Sequence, residues 1–170
     1  SELDNWRQIS RKMFIPFHGE RIIRQFEGYE QLREFDWQGY KKQYGDIQRL
    51  DRILESEGEG ETVNRYKASK QADVLMLFYL FSAEQIFEFF DMMGYEFEPE
   101  AIPRNIEYYL DRTSHGSTLS RVVNSWVLAR SQRERAWELF RNALQSDVAD
   151  IQGGTTSEGI HLGAMAGTVD

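Results

Sequence analysis

The chain has 170 residues, no cysteine and a formal net charge of −8. That length supports one domain with a sizeable core, the missing thiols exclude disulfides and thiolate metal sites, and the acidic balance argues against nucleic acid as a partner. Aromatic residues make up 14% of the chain, which suits cores and sugar platforms alike.

No charged-apolar-small leader and no apolar run of bilayer length is present, so a soluble, cytoplasmic chain without membrane contact is expected. The periodicity is helical nearly throughout. Ile22-Ile23 is the one short extended segment that the pattern allows. Gly58-Glu59-Gly60-Glu61 reads as an acidic surface loop, with Glu55, Glu57, Glu59 and Glu61 as surface solvation.

Residues 72–81 are apolar nearly all round and too long for a buried strand, so they read as a helix covered on every side. Ser82 and Gln85 have capping-box spacing and open a second helix, which turns Ile86, Phe89, Phe90 and Met93 to one face. Pro99 and Pro103 mark a break before a helix near 103–111. Leu119, Val122, Val123, Trp126 and Val127 make a third stripe, and Ala136, Leu139, Phe140, Ala143 and Leu144 a fourth. An enclosed helix followed at once by a half-exposed one is the grammar of an inner and an outer helical layer. The fold class expected is all-α, part of an (α/α)6 barrel, although a plain bundle reads similarly.

Two polar, glycine-containing segments precede apolar helices: Arg112-Thr113-Ser114-His115-Gly116-Ser117-Thr118, and Gln152-Gly153-Gly154-Thr155-Thr156-Ser157-Glu158-Gly159-Ile160-His161. The first turn of a helix offers unpaired N–H groups and the positive end of the dipole. Glycine lets a ligand approach the backbone, hydroxyls add donors, and His115 or His161 could add charge. This is a construction for gripping phosphate. Ordinary helix capping explains the same residue types, and Thr155 and Glu158 have capping-box spacing. Lys70-Gln71 open the enclosed helix and suit sugar hydroxyls in a cavity; the competing reading sends Lys70 to solvent and makes Gln71 a cap. His18, His115 and His161 match no compact metal-ligand spacing, so no metal is expected. No Walker or Rossmann loop and no Gly-x-Ser-x-Gly elbow appears, so no cofactor is expected either.

At these segments the sequence resembles glycoside hydrolase family 65, which includes trehalose, maltose and kojibiose phosphorylases and some hydrolases. The resemblance rests on Phe26-Glu27-Gly28-Tyr29, Lys70-Gln71-Ala72-Asp73-Val74, Thr113-Ser114-His115-Gly116-Ser117-Thr118-Leu119-Ser120, and the run from Gly153 to Gly167. It implies an (α/α)6 barrel and an inverting attack of phosphate on an α-glucoside such as trehalose or maltose, giving β-glucose 1-phosphate. It implies that Lys70 and Gln71 bind the transferred glucosyl unit. It also implies that Ser114, His115, Gly116, Ser117 and Thr118 form the phosphate loop, faced across one cleft by Gly153, Gly154, Thr155, Thr156 and His161.

The glutamic acid that protonates the leaving oxygen is expected upstream of Ser1, with a β-sandwich before it and a small β domain after Asp170. Residues 1–170 are then the C-terminal portion of the barrel, inactive alone, and catalytic residues within them are none. Asn124 stands where many relatives would have His. An incomplete ring predicts uncovered apolar faces and self-association, and a homo-oligomeric parent is expected. Two other readings remain. One is a hydrolase of the same fold, with water as nucleophile and Glu158 as the best base. The other is a non-catalytic helical sugar-binding module.

Overall fold

The computed structural model describes residues 1–170 except 59, 72, 152–156, 158 and 170. In chain order the elements are α1 (Glu2–Lys12), β1 (Phe17–His18), β2 (Ile22–Ile23), α2 (Trp37–Tyr44), α3 (Leu50–Glu57), α4 (Asp73–Leu80), α5 (Ala83–Met92), α6 (Ala101–Leu110), α7 (Thr118–Leu128), α8 (Arg133–Gln145) and α9 (Leu162–Ala166). The chain is mostly helical, as expected for part of an all-α barrel domain. Ile22-Ile23 pairs antiparallel with Phe17-His18, a two-strand hairpin of minimal length.

The expected capping box forms at α5. The Ser82 hydroxyl accepts from the Gln85 amide at 3.3 Å, and the Gln85 side chain accepts from the Ser82 amide at 3.0 Å. The helix expected near 103–111 begins two residues earlier, at Ala101. Pro103 falls in its first turn, where the missing N–H has no intrahelical partner to lose.

One core joins the hairpin to α4, α5, α6, α7 and α8 through Ile22, Ile23, Leu75, Phe90, Ile106, Tyr109, Val123, Leu128 and Ala136, with Tyr29 beside the hairpin. Asn105 ties the hairpin to α6. Fully buried, it accepts from the Ile23 amide at 2.8 Å and donates to the Arg21 and Ala101 carbonyls at 2.9 and 2.7 Å. Backbone that has no sheet neighbour is thereby satisfied by one side chain. Tyr109 adds a bond from its hydroxyl to the Ile23 carbonyl. A second, smaller cluster of Phe35, Leu50 and Leu54 holds α2 and α3 together.

The helix that is closed in is α7, not α4. α7 is clasped by α4, α8 and α9, and its polar residues Thr118, Ser120, Arg121, Asn124 and Ser125 are as buried as Val122 and Val123. On α4 only Val74 and Leu75 are buried, and Leu80 is 60% exposed. α4 has α6 and α7 on one side and α5 beside it, while Tyr79 and Leu80 face an open apolar groove with Trp126 and Trp137. α1 buries nothing and shows Leu3, Trp6 and Ile9 to solvent. Uncovered apolar faces of the kind the sequence predicted are therefore present. Glu57 is exposed, as the surface reading expects, and Glu61 half-exposed, and both also take hydrogen bonds there. Glu57 accepts from Tyr40 and Tyr44, and Glu61 from Arg65 and Tyr66 at 2.9 Å each.

Candidate functional site

Segments distant in sequence are brought side by side by a parallel bridge between Ser69 and Thr113. The Ser69 amide donates to the Arg112 carbonyl at 3.0 Å, and the Ser114 amide donates to the Ser69 carbonyl at 2.9 Å. Lys70-Gln71 therefore leave the bridge beside Ser114-His115. A third wall comes from the turn before α3, where the Ser114 hydroxyl reaches the Gln48 carbonyl at 3.4 Å. Gly116 lies so close to that carbonyl that a β-carbon there would stand 2.2 Å from it and 3.3 Å from Lys70 Cγ. Only a residue without a side chain fits.

Between these walls lies a groove of about 550 Å³ lined by Lys70, Gln71, Ser114, Gln48, Gln25 and Phe26, among others. Amides, hydroxyls, one ammonium and the carboxylates of Asp51 and Asp73 around an exposed aromatic edge are a polyol-binding lining. The structure thus joins Lys70, Gln71 and Ser114 in one cavity. Lys70 does not open α4, which begins at Asp73.

The rest of the 114–118 loop packs toward α7. Ser117 is the N-cap of α7, yet its side chain makes no cap bond. Capping therefore does not account for Ser117. His115 holds a left-handed backbone, φ 54°, a strained conformation for a residue with a β-carbon. Its Nδ1 is 3.3 Å from both Ser120 Oγ and Asn124 Nδ2. Burial, and then the charges of Arg121 and Arg135, push the imidazole down to about 4. His115 is neutral at pH 7, so the charge expected of it is not supplied. Asn124, 2% exposed, also donates to Ser120 Oγ at 3.1 Å, so it braces the loop at the position where His was anticipated.

Gly153, Gly154, Thr155, Thr156 and Glu158 lie outside the described residues. His161, at the end of that segment, is held by one carboxylate. Its amide donates to Asp147 Oδ2 at 3.0 Å, and its Nδ1 lies 2.6 Å from Asp147 Oδ1. The His161 bond holds the Asp147 carboxyl below the usual carboxylate range. Next to Asp147, the Ser146 hydroxyl accepts from Arg121 Nη1 at 3.0 Å, and another nitrogen of the same guanidinium donates to Gln48 Oε1. One chain of contacts thus runs from His161 through 147, 146 and 121 to Gln48 in the groove wall. His161 itself does not line the groove. Gln48, Arg121 and Asp147 were not anticipated from the sequence.

Residues 1–170 match the model of the glycosyl hydrolase family 65 central catalytic domain over their whole length. An uncharacterized glycosyl hydrolase of Mycobacterium tuberculosis is 58% identical over 169 residues, which is 99% of this chain and 12% of the relative. The trehalose 6-phosphate phosphorylase of Lactococcus lactis is 36% identical over 169 residues, 99% of this chain and 22% of that protein. Among solved structures, one provisionally assigned as a kojibiose phosphorylase from human microbiome superposes with a TM-score of 0.70 at 25% identity, covering 98% of this chain and 21% of that one. The chain thus spans between a tenth and a quarter of the length of these relatives.

Proposed function

Because the chain belongs to the glycosyl hydrolase family 65 central catalytic domain, we propose that it is the phosphate-binding and glucosyl-binding part of an inverting α-glucoside phosphorylase. The observation that carries this reading is the Ser69–Thr113 bridge, which puts Lys70 and Gln71 in one groove with Ser114. Lys70 and Gln71 hold hydroxyls of the transferred glucosyl unit. Ser114, His115, Gly116, Ser117 and Thr118 form the phosphate loop, with N–H groups at the start of α7 aimed at the anion. Gly153, Gly154, Thr155, Thr156 and His161 make the facing wall. That Ser117 caps nothing supports the anion over plain capping.

The reaction has two sides. A glutamic acid supplied by the parent protein outside residues 1–170 protonates the glycosidic oxygen as the C1–O bond breaks. Phosphate forms the new bond to C1 from the opposite face, giving β-glucose 1-phosphate and a released sugar. Phosphate is already an anionic nucleophile, so this chain's task is to bind it and aim it rather than to deprotonate it. The disaccharide is trehalose, maltose or a close relative, drawn from the substrates that similar proteins are named for. Residues 1–170 are then the C-terminal portion of the barrel, and the parent is a homo-oligomer.

With the full-length protein and each disaccharide in turn, sugar release is expected only when inorganic phosphate is added, and the phosphorylated product is the β-anomer by proton NMR. Equal release of free glucose without phosphate assigns the site to a hydrolase instead.

A further inference from the structure

Arg121 is 3% exposed. Its guanidinium meets two neutral acceptors, Ser146 Oγ and Gln48 Oε1. Among the described residues no carboxylate lies within ion-pair distance of it. Arg24, Arg49, Arg104 and Arg112, all less deeply buried, each lean on one: Glu30, Asp51, Glu98 and Glu34. A guanidinium withdrawn from water is costly unless an opposite charge faces it; its two hydrogen-bond partners are neutral, and the Asp46 carboxylate acts on it only from beyond ion-pair distance. The geometry also says where the field goes. Arg121 stands on the first turn of α7, its amide bonded to the Ser117 carbonyl at 3.3 Å, and its partner Gln48 lines the groove beside Lys70 and Ser114. His115, which burial and then Arg121 hold neutral, adds no charge there.

We propose that Arg121 is a positioning residue for the nucleophile. Its buried charge, transmitted through Gln48 and the start of α7, attracts and orients inorganic phosphate in the groove, and the bound anion is the close counter-charge that no described residue gives it. This rests on the phosphorylase reading above. It adds a second fixed cation to the exposed Lys70 and gives the charge to a residue the phosphate loop does not contain.

The test uses the full-length enzyme, whose dependence on phosphate is established first; a wild type indifferent to phosphate defeats the phosphorylase reading itself. Arg121→Gln is expected to raise the KM for phosphate about tenfold or more, with the KM for the disaccharide within twofold of wild type. It is also expected to lose most of the rise in melting temperature that saturating phosphate gives the native protein. Arg121→Lys, which keeps the charge, is expected to stay within about threefold for phosphate. Ser146→Asp is the second route, because Ser146 does not line the groove. A carboxylate there neutralises Arg121 while keeping its bond, at the cost of the Ser146 hydroxyl's donation to the Asn142 carbonyl, so the phosphate KM is expected to rise in an enzyme that still folds. A folded Arg121→Gln or Ser146→Asp enzyme with an unchanged phosphate KM overturns the inference. So does a parallel rise in both KM values, which would make Arg121 a strut for the loop.

Discussion

Gly116→Ala is expected to lower the kcat/KM of phosphorolysis in the full-length enzyme by about a hundredfold or more, because displacing a positioning loop by about 1 Å costs on that order. The β-carbon would sit 2.2 Å from the Gln48 carbonyl oxygen, which is backbone and has no rotamer to yield. Lys70 Cγ at 3.3 Å closes a second direction. The loop can relieve the overlap only by lifting away from Gln48, and Ser114 and His115 move with it. Gly39→Ala is the control. Its β-carbon would meet Asp36 Oδ2 at 2.1 Å, an equal overlap, but with a side chain that caps α2 at Gly39 N. Asp36 can swing aside at the cost of that cap, about 1 kcal/mol. Gly39→Ala is therefore expected to lower the melting temperature slightly and leave phosphate kinetics alone. Wild-type turnover in Gly116→Ala would show that the approach to Gln48 does not set the loop.

The contrast between these glycines shows what a sequence discloses and what it conceals. Gly116 announces itself as a glycine among hydroxyls before a helix, which is enough to suspect close approach. It does not say what approaches, since Gln48 lies far off in the chain and meets the loop only in the fold, through Ser114 and Arg121. The capping box at Ser82 was legible because both partners sit within one turn. The enclosed helix was misassigned because composition alone cannot separate an apolar helix that is covered from one that waits for cover. α7 carried a subtler signal. In Thr118–Leu128 the one charged residue is Arg121, and the polar positions are otherwise Thr, Ser and Asn. A solvated face normally carries several charges, so small neutral polar residues opposite an apolar stripe point to a helix buried on both faces. Asp147 offered no signal, because its role depends on the turn that returns His161 to it.

Acid should destabilise the protein through His115 in a window of its own. The imidazole titrates near 6.5 when unfolded and is pushed down to about 4 in the fold, chiefly by burial and then by Arg121 and Arg135. Above pH 6.5 neither state binds the proton, and stability is complete. As pH falls from 6.5 toward 4 the unfolded chain takes up a proton that the native state refuses, so stability is lost progressively, up to about 3 kcal/mol from this one group. Below 4 both states are protonated and the loss levels off. Asp147 works the same acid flank in a lower window. Its carboxyl is held down by His161, so its contribution persists above the unfolded carboxylate range, near 3.9, and disappears only as pH drops through the folded value. His115→Asn separates the two, since asparagine tolerates the left-handed backbone at φ 54° and does not titrate. Melting temperatures of native protein and variant, followed from pH 7.5 to 4.5, are expected to diverge, with the native protein falling more steeply. Parallel curves would mean that His115 takes up its proton as readily in the fold as in water. The loop would then hold a cation of its own at mildly acid pH, leaving Arg121 less to do there.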